Sequence, residues 1–312
     1  MRGMESYIAI NKDEKVRMAS RSGGVFTAIS DVILDNGGVV YGVKMSNEME
    51  AVHTRATTKS ERDAFRGSKY VRSDMVKAFE QVQADLKNGL TVLFTGTPCQ
   101  IALIKTTVRK DNIEEGQLIC VDIVCHGTPK KECFEKYKDY LEIRYQGSVE
   151  SFDFRNKRYF GWKSHVETFV INGKQHIGRE YTDLFYQHLL FPKGCFKCKF
   201  KSLKREGDIS LADAWGNSKE NMIIDNKGAN LVLVNTKIGT ELFNRCSHKL
   251  DYKPCNIEEY MQPPLKENFA VPQNYDEFWK DMKTMSWEQL YKHYATTPYW
   301  KRVLRKIRYM VK

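Results

Sequence analysis

The chain has 312 residues, 41% hydrophobic and 12% aromatic, enough to bury a substantial core in two domains or one large one. No apolar run approaches the roughly 20 residues that span a bilayer, and residues 1–7 lack a signal-peptide core. The cytoplasm is therefore the expected compartment, where eight cysteines stay reduced and suit metals or clusters better than disulfides. Fifty Lys and Arg against 39 Asp and Glu leave a net charge of +11, which favours anionic partners such as phosphorylated cofactors or acidic proteins. With no zinc-finger or RNA-binding signature, no nucleic acid is expected.

Val25, Phe26, Ile29, Val32 and Ile33 fall on one face of a predicted helix capped by Ser22 and stopped by Asn36-Gly37-Gly38. A strand over 39–45 follows, then one near 53–57 and a loop holding Arg66-Gly67-Ser68-Lys69-Tyr70. Residues 76–88 read as an amphipathic helix ended by Gly89. Thr91-Val92-Leu93-Phe94-Thr95 reads as a buried strand, 99–109 as a helix opened by Pro98, 118–124 as another buried strand and 130–145 as a long helix. Such alternation announces βα units. Beyond Gly147 strands alternate instead, at 151–155, 165–171, 209–212 and 231–235, with Asn172-Gly173 as a hairpin turn.

The expected fold is α/β: a partly parallel sheet with flanking helices, then a smaller α+β region and a helical tail. Predicted domains are 1–147, 148–275 and a basic tail over 276–312. The last segment, 300–312, reads as a basic amphipathic helix. Its plain reading is a solvated face; the sharper one is a weak membrane-surface contact or a partner-docking helix.

Cys195-Phe196-Lys197-Cys198 is a C-x-x-C pair, spaced so that two thiolates face one metal or cluster while loop amides point at the sulfurs. One pair is half a site. Cys99 follows the strand 91–95 and Cys125 the strand 118–124; as parallel neighbours joined by a right-handed crossover, those strands deliver both thiols to one carboxyl edge. Cys99 also opens a helix, where the dipole and free amides favour a thiolate. Placement and spacing agree on Cys99, Cys125, Cys195 and Cys198 as metal ligands. Cys120, Cys133, Cys246 and Cys255 show no pairing pattern and are expected as core or helix thiols. Zinc and iron are not separated by spacing.

No G-x-G-x-x-G or Walker loop follows a strand, so a nucleotide would bind by another route. Ser22-Gly23-Gly24 opens a helix and lets phosphate oxygens approach its amides, although a plain Ser cap explains it equally. The loop Arg66–Tyr70 combines cations, a hydroxyl and a ring, a mixture suited to an anionic cofactor with a flat ring, or simply to a solvated loop. Gly96-Thr97-Pro98 lies at a carboxyl edge, where open α/β sheets bind ligands. His126 is a proton-exchange candidate or a satisfied structural histidine. Phe154-Arg155-Asn156-Lys157 and Gly161-Trp162-Lys163 offer cations to phosphates or form a basic hairpin, and Asp213-Ala214-Trp215-Gly216 reads as a tight turn with a packed Trp.

Seven ordered segments resemble the coenzyme F420 hydrogenase/dehydrogenase beta subunit family. They are Ser20-Arg21-Ser22-Gly23-Gly24-Val25-Phe26, Gly67-Ser68-Lys69-Tyr70, Phe94-Thr95-Gly96-Thr97-Pro98-Cys99-Gln100, Asp122-Ile123-Val124-Cys125-His126-Gly127, Phe154-Arg155, Cys195-Phe196-Lys197-Cys198-Lys199-Phe200 and Asp213-Ala214-Trp215-Gly216. The resemblance implies a flavoprotein with FAD and a 4Fe-4S cluster, which in the archetype moves a hydride between flavin and a deazaflavin coenzyme while the cluster handles single electrons. It implies FAD at Ser22, Gly23, Gly24, Gly67, Ser68, Lys69, Tyr70, Gly96, Thr97 and Pro98, with His126 and Lys69 as catalytic proton or charge partners.

Many bacterial members begin with a ferredoxin-like module, whereas this chain starts at Tyr7-Ile8-Ala9-Ile10-Asn11, after where that module would end. The expected donor is then a separate protein, ferredoxin or another iron-sulfur carrier, and the two-electron substrate an unknown small molecule. Lys130 and Lys193 stand near positions where the family pattern tends to carry Ser and Arg-Pro, so a different substrate pocket is expected. The rival readings are a non-catalytic zinc-thiolate protein of a glycan-synthesis complex and a flavin-free electron-transfer protein.

Overall fold

The computed structural model describes residues 4–111, 113, 115–216 and 225–295. Its strands, in chain order, are β1 (Glu5–Asn11), β2 (Val39–Met45), β3 (Ala51–Ala56), β4 (Val92–Gly96), β5 (Leu118–Ile123), β6 (Val149–Asp153), β7 (Glu167–Ile171), β8 (Lys174–Gly178), β9 (Ile209–Asp213), β10 (Asn230–Val234) and β11 (Leu250–Pro254). Eight of them make one sheet in the order β11-β1-β10-β9-β5-β4-β2-β3. Its centre is parallel: Tyr41 lies opposite Phe94, Phe94 opposite Cys120, and Val121 opposite Ile209. Antiparallel strands flank that centre on both sides.

Burial on both faces explains the unbroken apolar runs of β4 and β5. Helices Val25–Asp35 and Lys237–Cys246 cover one face with Ile29, Ile33, Leu242 and Phe243. Helices Val76–Lys87 and Pro98–Lys110 cover the other with Val82, Leu86, Ile101 and Ile104. The expected α/β class with flanking helices is the one observed.

Strands β6, β7 and β8 form a small antiparallel sheet, turned at Asn172 and Gly173 with φ of +52° and +68°, the left-handed pair that a two-residue hairpin requires. An aromatic core joins this sheet to helix Lys131–Tyr145, helix Glu180–Tyr186 and the C-terminal helices Tyr275–Asp281 and Trp287–Leu290, through Phe134, Tyr137, Phe169, Tyr181, Phe278 and Trp287. The small sheet begins just past residue 147, where a domain boundary was expected, but β9, β10 and β11 return to the large sheet. Residues 148–275 therefore build parts of both sheets, because β9 completes the parallel row beside β5.

The basic segment 300–312 lies outside the described residues. Among the described residues no helix is long and apolar enough to cross a membrane.

Candidate functional site

The carboxyl ends of β4, β5 and β9 open into a cavity of about 620 Å³. Ser22, Gly24, Gly67, Ser68, Lys69, Tyr70, Gly96 and Thr97 line it, together with Cys125 and His126. Segments far apart in the sequence thus meet around one space, because those of Gly24, Gly96 and Cys125 lie at helix starts or strand ends and the loop over residues 66–70 borders the same cavity.

Two of the expected binding residues stand behind the wall. Gly23 packs between strands: a Cβ there would strike the Ala9 carbonyl oxygen and come within 2.7 Å of the Asn230 nitrogen. Pro98 is buried in the first turn of its helix, behind the Thr97–Gln100 capping box.

The entrance to helix Val25–Asp35 differs from the sequence reading. Gly24, at φ +85°, is the N-cap and offers no side-chain bond, while the Ser22 hydroxyl donates to the Ala229 carbonyl. The left-handed backbone suits glycine, and of the first-turn amides Val25 donates to Asn230 Oδ1 at 3.3 Å, while the N-cap residue itself caps none of them. This arrangement favours an anionic group.

Lys69 lines the cavity, but its ammonium donates to the carbonyls of Ala64, Phe65, Arg66 and Gly67 at 2.9–3.2 Å. Burial pushes it down to about 7, and the four carbonyl dipoles favour the charged form. Its evident work is to fold the loop. That loop presents Tyr70, whose ring stacks on Phe185 at 4.2 Å.

A cationic wall faces the loop. Arg155 pairs with Asp213 at 3.0 Å and donates to the Trp162 carbonyl at 3.0 Å, and Trp162 stacks on Trp215 at 4.1 Å. The Asp213-Ala214-Trp215 segment is therefore part of the cavity rather than a mere turn. Behind it Lys157 donates to the carbonyls of Ser22 and Lys227 at 2.9 and 2.7 Å. Two buried nitrogens of the lining, Arg21 Nε and His165 Nδ1, lack a hydrogen-bond partner among the described residues. Sequence reasoning gave no separate role to Arg21, His165 or Tyr186; Arg21 sat inside a recognised motif, whereas nothing local marked the other two.

His126 Nε2 lies 2.9 Å from His188 Nε2, so one ring donates and the other accepts. Burial, with His188 and Lys201 adding to it, pushes His126 down to about 3. It is a neutral hydrogen-bonding group here. A deeper histidine, His53, accepts or donates at Ser73 Oγ (2.9 Å) and the Thr95 carbonyl (3.0 Å). Because a carbonyl only accepts, Nε2 carries the proton.

None of the eight cysteines, all of them described, forms a disulfide. Cys120, Cys133 and Cys246 are buried in the core, and Cys255 is half-buried. Of the other four, Cys99 lies 3.1 Å from Thr97 Oγ1, and Cys125 lies 3.8 Å from Thr128 Oγ1. Cys195 sits in the 3-10 turn Lys193–Lys197, with its thiol bonded by the Thr128 amide, and the Cys198 amide donates to Asn268 Oδ1 at 3.0 Å. Burial pushes the Cys125 thiol up to about 12, and Cys99, Cys195 and Cys198 each raise it further. The four thiols thus share one electrostatic neighbourhood. Burial raises the Cys195 thiol as well, and a bound cationic centre would favour the thiolate forms.

Two family profiles of the coenzyme F420 hydrogenase/dehydrogenase beta subunit match the sequence, the one for its C terminus over residues 89–259 and the one for its N terminus over residues 6–80. The chain belongs to the coenzyme F420 hydrogenase/dehydrogenase beta subunit family. Membership marks it as an oxidoreductase-type electron-transfer subunit. A structure of the F420-reducing [NiFe] hydrogenase complex from Methanosarcina barkeri, studied by xenon derivatization, contains a chain of the same fold. The two share 18% identity with a TM-score of 0.58, over 93% of this chain and 91% of that one. No curated protein matches the sequence.

Proposed function

We propose that this member of the beta subunit family passes electrons between a one-electron iron-sulfur carrier, such as ferredoxin, and a small-molecule substrate that takes two. In this reading FAD occupies the cavity and a 4Fe-4S cluster is held by Cys99, Cys125, Cys195 and Cys198. The observation that carries it is Cys125, which belongs both to the cavity wall and to the group of four thiols. Flavin would supply two-electron chemistry there and the cluster one-electron transfer.

The residues fit both groups. The helix start after Gly24, the Arg21 Nε that lacks a partner among the described residues and the stacked Tyr70 and Trp215 rings suit a molecule with phosphates, acceptor atoms and a flat ring system. The sulfurs also speak to the nature of the centre. Four thiolates on one zinc ion, at Zn–S of about 2.3 Å, would lie about 3.8 Å apart. Among the described residues no three of these sulfurs lie within 4.8 Å of one another. A spread wider than one ion needs, yet within mutual electrostatic reach, favours a multi-iron core over the zinc reading.

Within this scheme Lys69 shapes the binding loop and His126 offers a neutral hydrogen bond. Cys99 is exposed, on the same helix face as the exposed Leu103. The neighbouring loop carries Lys197, Lys199 and Lys204, all exposed, and Lys105 ties it to the helix through the Glu206 carbonyl at 2.6 Å. An apolar spot ringed by lysines suits an acidic electron carrier.

Anaerobic purification with metal, sulfide and flavin quantitation tests the proposal. About four iron, about four sulfide and one FAD per chain are expected. A colourless protein holding zinc would overturn it.

A further inference from the structure

Lys201 follows the C-x-x-C pair by three residues and is 8% exposed. Its Nζ is shut off from solvent and has no hydrogen-bond partner among the described residues. It does lie 3.8 Å from the centroid of the Phe269 ring. The other buried lysines of the site are satisfied, Lys69 by four carbonyls and Lys157 by three. Burying an ammonium without a counter-charge is strongly unfavourable, and one phenyl ring offsets only part of that cost.

The groups around it narrow what the counter-charge is. Cys125, Cys195 and Cys198 are the side chains whose ionised forms favour its charge. The rings of His126 and His188 pack on the same Phe269 ring at 4.4 and 4.1 Å and bond each other at 2.9 Å, and neither supplies an anion. A neutral thiol gives an ammonium little, whereas a thiolate-ligated iron-sulfur centre carries net negative charge and becomes more negative on reduction.

We propose that Lys201 is the built-in counter-ion of the cluster, a positioning residue that raises the cluster's reduction potential by stabilising its reduced state. The inference rests on the reading in which the four cysteines hold an iron-sulfur cluster. The reaction concerned is uptake of one electron by the cluster from the iron-sulfur carrier, with no bond made or broken at the lysine.

The test compares wild type, K201Q and K201R, each purified anaerobically, with iron and sulfide counted and the cluster potential measured by redox titration without substrate. K201Q is expected to keep its fold while its cluster becomes harder to reduce, about tenfold in the reduction equilibrium, the scale of outer-shell effects at metal sites. For one electron, tenfold is about 59 mV in the negative direction. K201R is expected to keep the wild-type potential, because it restores the charge. Loss of iron from K201Q but not from K201R would also support the assignment.

A fully loaded K201Q with the wild-type potential overturns it, as does an equal shift or equal loss of iron in both variants, since shape rather than charge would then matter. Wild-type protein carrying zinc instead of iron overturns the cluster reading itself and the role of Lys201 with it.

Discussion

The surroundings of Arg155 and those of Cys125 border the same cavity but are built on opposite terms. Arg155 has Asp213 and the Trp162 carbonyl, and Lys157 has fixed backbone acceptors. Around Cys125 burial raises the thiols of Cys125 and Cys195, the His126–His188 pair is neutral, and Lys201 has no hydrogen-bond partner among the described residues. In the first region the main ion pair is closed within the chain, and among the described residues only the Arg21 Nε and His165 Nδ1 nitrogens stay open beside it; in the proposed reading the second region balances when an inorganic centre converts thiols to thiolates.

The largest effect that bears on this contrast belongs to the cysteines. Cys198→Ser should bring bound iron and sulfide close to zero, whereas Cys246→Ala, which removes a core thiol, should leave both at wild-type levels; metal analysis decides, and equal metal in the two variants breaks the comparison. Next comes Arg155→Ala. It strands the Asp213 carboxylate, which keeps the Trp162 indole donor at 3.2 Å, and should destabilise the fold by about 3–5 kcal/mol in urea unfolding. A loss below about 1 kcal/mol would mean that this region, too, awaits its ligand.

A smaller effect sharpens the first side of the contrast. His53 is 4% exposed, and burial pushes it down to about 4 from 6.5. The unfolded chain binds its proton below about 6.5 while the folded chain refuses it until about 4, so the stability tied to neutral His53 is present above pH 6.5 and is lost as pH falls toward 4. Each pKa unit is worth 1.36 kcal/mol, which puts the loss at about 3 kcal/mol. Urea midpoints of wild type and His53→Gln across that window should converge as pH falls; parallel curves would remove His53 from the account.

The parts legible in the sequence were those fixed by short-range pattern. Apolar runs at β4 and β5, each ending at a small-residue turn, put Cys99 and Cys125 at one edge, and the segments around Gly24, Ser68 and Gly96 duly share a cavity. What was not legible depended on long-range contact. Ser22 has the chemistry of a cap, but the Ala229 carbonyl, 207 residues away, takes its hydroxyl. Lys69 reads as a free cation until the loop closes on it. β8, with mostly exposed residues, lacks a strand's apolar signal, and β9 joins β5 across more than 80 residues. His165 and Lys201 acquire meaning only from what surrounds them in space.

Strand β1 takes its place only through distant partners. β1 sits between β10 and β11, with Tyr7 opposite Val232 on one side and Pro254 on the other. Gly23, which positions the start of the helix beside the cavity, rests against Ala9 of β1 and Asn230 of β10. The wall that carries Gly24 is therefore complete only once β1 has paired with strands more than 200 residues away, so this side of the cavity depends on contacts of the longest range in the sheet.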